Sequence, residues 1–255
     1  MLAAAGVTSV RVHARPVVTI FSTGDEVVPA DTAVLKPGQV RDATAAALAA
    51  LVSDAGGTPV PGGIVPDDPG ALEKALRAAL PVSDVIVISA GSSVGVRDET
   101  AGAVARLGPP GIWCHGLAIK PGKPTLLAEC GAGEGAGAGP VPGGAPGVPV
   151  IGLPGNPRSA LVVFRLIGVP LVRLVGGCTV PPPEASTRAR LSRDLASATG
   201  RLDVVQVKVS AGVATPVFGL SALLSVLTEA DGYIIIPEEA TGLDAGSEVD
   251  VIRYA

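Results

Sequence analysis

The sequence predicts an open, mainly parallel α/β sheet with helices on both faces, followed by a small β-rich unit. Strand and helix patterns alternate from residue 16 to residue 176, the rhythm of βαβ units. Val85, Ile86, Val87 and Ile88 are apolar at every position, as in a parallel strand covered on both faces. From Cys178 onward the chain changes to short β-like segments, after a stiff linker of three prolines, Pro181, Pro182 and Pro183.

Each element has a local reason. Residues 16–21 (PVVTIF) form a β-branched run closed by Ser22, Thr23, Gly24 and Asp25, which reads as a strand and the loop at its end. Asp42 caps the next helix, whose apolar Leu48, Leu51, Val52 and Ala55 recur at helical spacing until Gly56 and Gly57 stop it. A short strand at 58–65 leads to a second helix, capped by Asp68 with Pro69 at its first position. Leu72, Ala75, Leu76, Ala79 and Leu80 share its buried face, and Pro81 ends it. After the strand at 85–88 come a Gly- and Ser-rich loop to Gly95, a helix at 99–107 and a strand at 112–119. Two further strands, at 125–128 and 148–152, flank a low-complexity tract. Residues 131–149 hold eight Gly and four Pro, so the tract cannot bury a core and reads as a surface connection between paired strands. Asn156 and Pro157 then open an apolar helix reaching residue 174. The tail carries β-like segments at 186–191, 204–209, 233–237 and 248–253 and one short helix at 220–229. The expected organisation is a remnant of a preceding domain at 1–14, an α/β domain at 15–177 and a β-rich domain at 178–255.

Composition narrows the function. The 255 residues are 47% hydrophobic and 16% charged, enough apolar material for a sizeable core. Aromatics are only 2%, and 19 basic against 23 acidic residues leave a net charge of -4. A nucleic-acid-binding face is therefore not expected, and stacking platforms are nearly absent. No apolar run approaches the ~18 residues of a membrane span, and the first residues carry no basic stretch of a signal peptide. Three cysteines, Cys114, Cys130 and Cys178, have no metal-like spacing, and an odd count does not suit a disulfide framework. A cytoplasmic protein without nucleic-acid or membrane partners is the expectation.

Ligands of open α/β sheets bind beyond the carboxyl ends of the strands. Four unusual segments fall at such ends: residues 22–26 (STGDE), residues 89–95 (SAGSSVG) with Asp98, residues 120–124 (KPGKP) and residues 153–157 (LPGNP). A Gly- or Pro-containing loop alone is usually only a turn. Four converging on one edge with two lysines and several carboxylates point to a site. Gly and Ser amides ahead of a helix can cradle a phosphate, and Lys120 and Lys123 add positive charge. Asp25, Glu26 and Asp98 would repel such a ligand unless a divalent cation lies between, and Mg²⁺ prefers carboxylates with phosphate oxygens and water. The residues thus suggest a Mg²⁺-dependent site for a phosphorylated small molecule. The plainer readings are a solvated turn for Asp25 and Glu26 and a helix cap for Asp98.

In this order the motifs, with residues 38–42 (GQVRD) between the first two, are highly specific. From Arg15 to the end, the chain resembles the molybdopterin molybdenumtransferases, MoeA-like proteins related to the E domain of gephyrin. The resemblance implies a three-layer α/β/α molybdopterin-binding domain followed by a small β-barrel. It also implies Mg²⁺-dependent insertion of molybdate into adenylylated molybdopterin with release of AMP, by a homodimer. By motif, Glu26, Asp84, Asp98, Lys120, Lys123, Pro154 and Pro157 match positions tied to ligand or metal binding. The assignments are Asp98, Lys120 and Lys123 as catalytic residues and Glu26 and Asp98 as metal ligands. Thr23, Gly24, Asp25, Glu26, Asp84, Gly91, Ser92, Ser93, Gly95, Pro154, Gly155, Asn156 and Pro157 are assigned to substrate binding. Family members carry a glycine at the position of Ala90, whose methyl group is expected to crowd a close backbone approach. Two alternatives stand beside the enzyme: a truncated, non-catalytic molybdopterin-binding module, and a molybdopterin adenylyltransferase. His115 is assigned to packing, and Arg158 stands at a helix start from which it could reach a phosphate.

Overall fold

The computed structural model of the chain describes residues 1–89, 94–131, 147–220 and 222–254, and at residues 69 and 94–98 the backbone alone. Residues 1–15 are exposed throughout. The first unit begins with β1 (Val17–Thr23), then β2 (Val27–Val28) and β3 (Val40–Arg41), two-residue strands that pair in parallel. It continues through α1 (Ala43–Asp54), β4 (Thr58–Val65), α2 (Pro69–Ala79), β5 (Val85–Ser89) and α3 (Val94–Ala105). Next come β6 (Gly111–His115), β7 (Ile119–Lys120), β8 (Leu126–Cys130) and β9 (Val148–Leu153). The closing helix is α4 (Pro157–Val163), a π-helical turn (Phe164–Gly168) and α5 (Val169–Val175).

The sheet order is β4-β1-β5-β9-β8-β6, with the first four strands parallel and β8 antiparallel to both neighbours. Alternation along the central strands builds two cores. Val18, Ile20, Val85, Val87, Ile151 and Leu153 pack under Leu48 and Val52 of α1 and Val163, Phe164 and Val172 of the closing helix. Phe21, Ile86, Ile88 and Val150 point the other way, against Leu72 and Leu76 of α2 and Val104 of α3. The continuous apolar run of β5 is thus two alternating faces, each covered. The mainly parallel, three-layer expectation holds.

The caps form where the sequence places them. The Asp42 carboxylate accepts the Ala45 N–H at 3.0 Å, and Asp68 accepts the Gly70 N–H at 2.8 Å with Pro69 at the first helical position. Asp42→Ala is expected to cost about 0.5–2 kcal/mol, read as a lower urea midpoint. A variant as stable as the parent would show that water replaces this cap without loss.

Two boundaries differ from expectation. The strand expected at 112–119 ends at His115, and Ile119 and Lys120 leave the first sheet to pair with the second unit. The helix expected from residue 99 already begins at Val94, so Gly95 and Asp98 stand inside α3, not in a loop, and Asp98 is not its cap. The low-complexity tract does connect paired strands: Cys130 lies opposite Val148 and Glu129 opposite Pro149. Its middle, residues 132–146, lies outside the described residues.

The second unit contains β10 (Ser186–Leu191), β11 (Leu195–Ala196), β12 (Leu202–Ser210), β13 (Val213–Pro216), α6 (Ser225–Glu229), β14 (Gly232–Ile236), β15 (Gly242–Leu243) and β16 (Glu248–Arg253). The order β13-β10-β16-β14-β12 closes through a β12–β13 pairing into a five-stranded barrel filled by Leu191, Val207, Ala214, Ile234, Ile236 and Val251. Closure removes the exposed edges. The expected helix at 220–229 is only α6, five residues long. β7 extends the barrel sheet, pairing in parallel with β12. Val162 of α4 packs with Val204 and Tyr233 of the barrel, so the two units share a ladder and a small core. Among the described residues, no helix is long and apolar enough to cross a membrane.

Candidate functional site

Register aligns the strand ends. Thr23 lies opposite Val65, Ser22 opposite Ser89, Ser89 opposite Leu153, and Leu126 opposite Gly152. The ends of β1, β4, β5 and β9 and the start of β8 therefore form one edge. Two small hollows open along it and meet at Thr100 of α3. One is lined by Thr23, Asp67, Asp68, Glu99 and Thr100, the other by Thr100, His115, Pro124, Pro154 and Gly155. The loops from β1 and β4 thus lie beside those before β8 and after β9.

The β1 end is acidic. Gly24 takes φ 136°, and a Cβ there would lie 2.7 Å from Glu26 Oε2, because the Glu26 carboxylate folds back over this glycine. A larger residue would meet both the backbone preference and the carboxylate. Residues 38–42 dock alongside: the Val40 N–H donates to Glu26 O at 2.8 Å, and the Asp42 N–H to Val28 O at 2.8 Å. Asp25 Oδ1 accepts the Asp67 N–H at 3.2 Å, tying the β1 and β4 loops together. Asp67 Oδ1 is buried with no hydrogen-bond partner. Burial pushes the Asp67 carboxyl above the ordinary aspartate range, and repulsion from Asp25, Glu26 and Glu99 adds to this, against a lowering contribution from the Asp25 backbone. Several acidic groups held close together are a setting in which a cation would be gained.

The other end is basic. Lys123 is exposed on a tight connection in which the Leu117 N–H donates to Lys123 O at 2.8 Å, the Gly116 N–H to Thr125 O at 2.8 Å and Thr125 Oγ1 to Gly122 O at 2.6 Å. Gly122 takes φ 121° and is seated against Val163 of α4, where any Cβ would overlap a valine methyl. Lys120 Nζ is 3.8 Å from Asp203 Oδ2 of β12, and Arg201 donates to the same carboxylate from Nε at 2.8 Å and Nη2 at 3.3 Å. Next to this loop, Pro154 is buried and Asn156 occupies the N-cap position of α4 without using its side chain as a cap.

The edge therefore gathers Thr23, Gly24, Asp25 and Glu26 at one end and Lys123, Pro154, Gly155, Asn156 and Pro157 at the other, with Lys120 on the same connection as Lys123. Asp84 does not join them. It precedes β5 at the opposite edge, where its carboxylate accepts the Val17 N–H at 2.7 Å and its own N–H donates to Val17 O at 2.8 Å, fixing the start of β1. Gly91, Ser92 and Ser93, with Ala90, lie outside the described residues, Gly95 is described only as backbone within α3, and the side chain of Asp98 is not described, so the metal pair of Glu26 and Asp98 is described only on the Glu26 side. Among the described residues no three His, Cys, Asp or Glu side chains form a cluster able to hold a metal by themselves. Arg158 Nη1 donates to Gly219 O at 2.9 Å, so it joins the two units. Asp67 and Glu99 are the residues that sequence reasoning missed. The available signal was the Asp67-Asp68 pair at a strand end, of which Asp68 alone serves as the helix cap.

Residues 19–174 match the family model described as "Probable molybdopterin binding domain", and residues 188–254 match the MoeA C-terminal region, domain IV. The molybdopterin molybdenumtransferase of Nostoc sp. is 40% identical over 177 residues, covering 69% of this chain and 37% of that protein. That of Haemophilus influenzae is 30% identical over 259 residues, covering 98% of this chain and 59% of that protein. The chain thus spans well under two thirds of these curated relatives. Two crystal structures of the molybdopterin biosynthesis MoeA protein of Pyrococcus horikoshii superpose with TM-score 0.76 at 34% and 25% identity, covering 94% and 99% of this chain and 54% and 57% of those chains. Fold, order of units and sequence agree, and the chain belongs to the MoeA-like molybdopterin molybdenumtransferase family.

Proposed function

We propose that this edge is the site of Mg²⁺-dependent insertion of molybdate into adenylylated molybdopterin, with release of AMP. The observation that carries the reading is the split charge of the edge: Asp25, Glu26, Asp67 and Glu99 at the β1 and β4 ends, and the lysine loop beside the β9 end. The donor set suits Mg²⁺. All the described groups are carboxylates, one carries a buried oxygen without a partner, and Mg²⁺ takes few protein carboxylates because it completes its shell with phosphate oxygens and water. Glu26, Asp67 and, by motif, Asp98 would hold the ion, which supplies charge neutralisation at the phosphoanhydride that breaks as AMP leaves.

The chain's own residues do the positioning. Lys120 and Lys123 bind phosphate oxygens, Gly24 and Gly155 let backbone approach the ligand, and the Asn156 amide is open to a polar group on it. Purified protein incubated with adenylylated molybdopterin, molybdate and Mg²⁺ is expected to release AMP above the uncatalysed background. No release would overturn the enzymatic reading. Lys123→Ala is expected to weaken binding of the adenylylated pterin by roughly 10–150-fold, the equivalent of about 1.5–3 kcal/mol for one charge-assisted hydrogen bond. Calorimetric titration reads this directly, and unchanged affinity would remove Lys123 from the site.

A further inference from the structure

We infer that Asp203, on the barrel, is a positioning residue that aims Lys120 at the anionic part of the ligand. The inference rests on reading the lysine loop as an anion site. It adds a residue from the second unit, so that the barrel takes part in setting affinity.

The β7–β12 ladder fixes the encounter. Leu202 lies opposite Ile119 and Asp203 opposite Lys120, and the Leu202 N–H donates to Ala118 O at 2.8 Å. The Asp203 side chain is only 5% exposed, while that of Lys120 is 60% exposed. A carboxylate so buried needs its charge compensated. Arg201 does this with two hydrogen bonds, at 2.8 and 3.3 Å, and leaves Lys120 with one loose contact at 3.8 Å. The lysine is steered but not consumed. Its charge remains available to an incoming phosphate, and the rigid strand pairing sets where that charge starts from.

A carboxylate that merely repels anions makes the opposite forecast from one that positions a lysine. Asp203→Asn removes a negative charge beside the site. By electrostatics alone, anions should then bind more tightly. If Asp203 positions Lys120, they should bind more weakly although the field has become more positive. The probe is inorganic pyrophosphate with Mg²⁺, titrated into the full chain. Asp203→Asn is expected to weaken binding by at least about fivefold, a coupling typical of residues in one charged network. Asp203→Glu keeps the charge and moves the carboxylate outward by one methylene, so it should also weaken binding. It serves as the test if the asparagine variant does not fold. In a Lys120→Ala background, the Asp203→Asn effect should vanish.

Tighter binding by Asp203→Asn, full affinity in Asp203→Glu, or an undiminished Asp203→Asn effect without Lys120 would each overturn the inference while leaving the anion site standing. Failure of the parent protein to bind pyrophosphate at all would overturn the anion site, and the inference with it.

Discussion

Asp67→Asn protein is expected to lose Mg²⁺-dependent turnover by about 10²-fold or more, and at neutral pH to be more stable than the parent. The two effects have one origin. Burial and the carboxylates of Asp25, Glu26 and Glu99 raise the Asp67 carboxyl above its ordinary value of 3.8. A group whose folded pKa lies above its unfolded one holds its proton more tightly in the folded state. Its contribution therefore favours folding as pH falls through the folded value, and opposes folding once both states are ionised. Asparagine removes the opposition, so the gain in melting temperature should be present at pH 7 and should disappear below the ordinary aspartate pKa. Added Mg²⁺ should raise the melting temperature of the parent, because an ion bound only by the folded state stabilises it. It should do so far less in Asp67→Asn. Full Mg²⁺-dependent turnover in the variant, or lower stability at neutral pH, would show that the carboxylates do not form a cation cradle.

How far the sequence could be read depended on how local each signal was. The core strands and helices of the first unit are written in short-range patterns, such as the Asp42 and Asp68 caps and the apolar run of β5, and these appear where expected. Closure of the barrel was implied by the family resemblance but was not visible in the local residue pattern. β13 follows β12 through Ala211 and Gly212, both at positive φ, a two-residue turn of the I′ kind without the usual Asn-Gly marker. The fate of Ile119 and Lys120 was equally hidden, because their partner strand lies some eighty residues downstream. Asp67 and Asp84 show the same limit at the level of chemistry. Each is an aspartate beside a strand, and only the topology places one at the edge of the proposed site and the other at the opposite end, bonded to Val17.

The largest structural effect is expected at Gly122. Its φ of 121° disfavours any residue with a Cβ, and that Cβ would overlap a methyl of Val163, itself fully buried under the first sheet. Gly122→Ala therefore combines backbone strain of about 1–3 kcal/mol with overpacking of about 1–3 kcal/mol. The loop cannot yield freely. Thr125 Oγ1 bonds Gly122 O, Lys120 is paired into the barrel ladder, and Lys123 O is bonded to Leu117. Pushing Gly122 off α4 should move both lysines, so pyrophosphate affinity should fall together with stability. Val163→Ala in the same chain makes room for the new methyl group but leaves the strained φ. The double variant should regain part of the stability, so that the two losses are clearly less than additive, and anion binding should return with it. Strictly additive losses, or Gly122→Ala protein with native stability and native pyrophosphate affinity, would mean that the loop adjusts without displacing the lysines, and that its seat on α4 does not set the site.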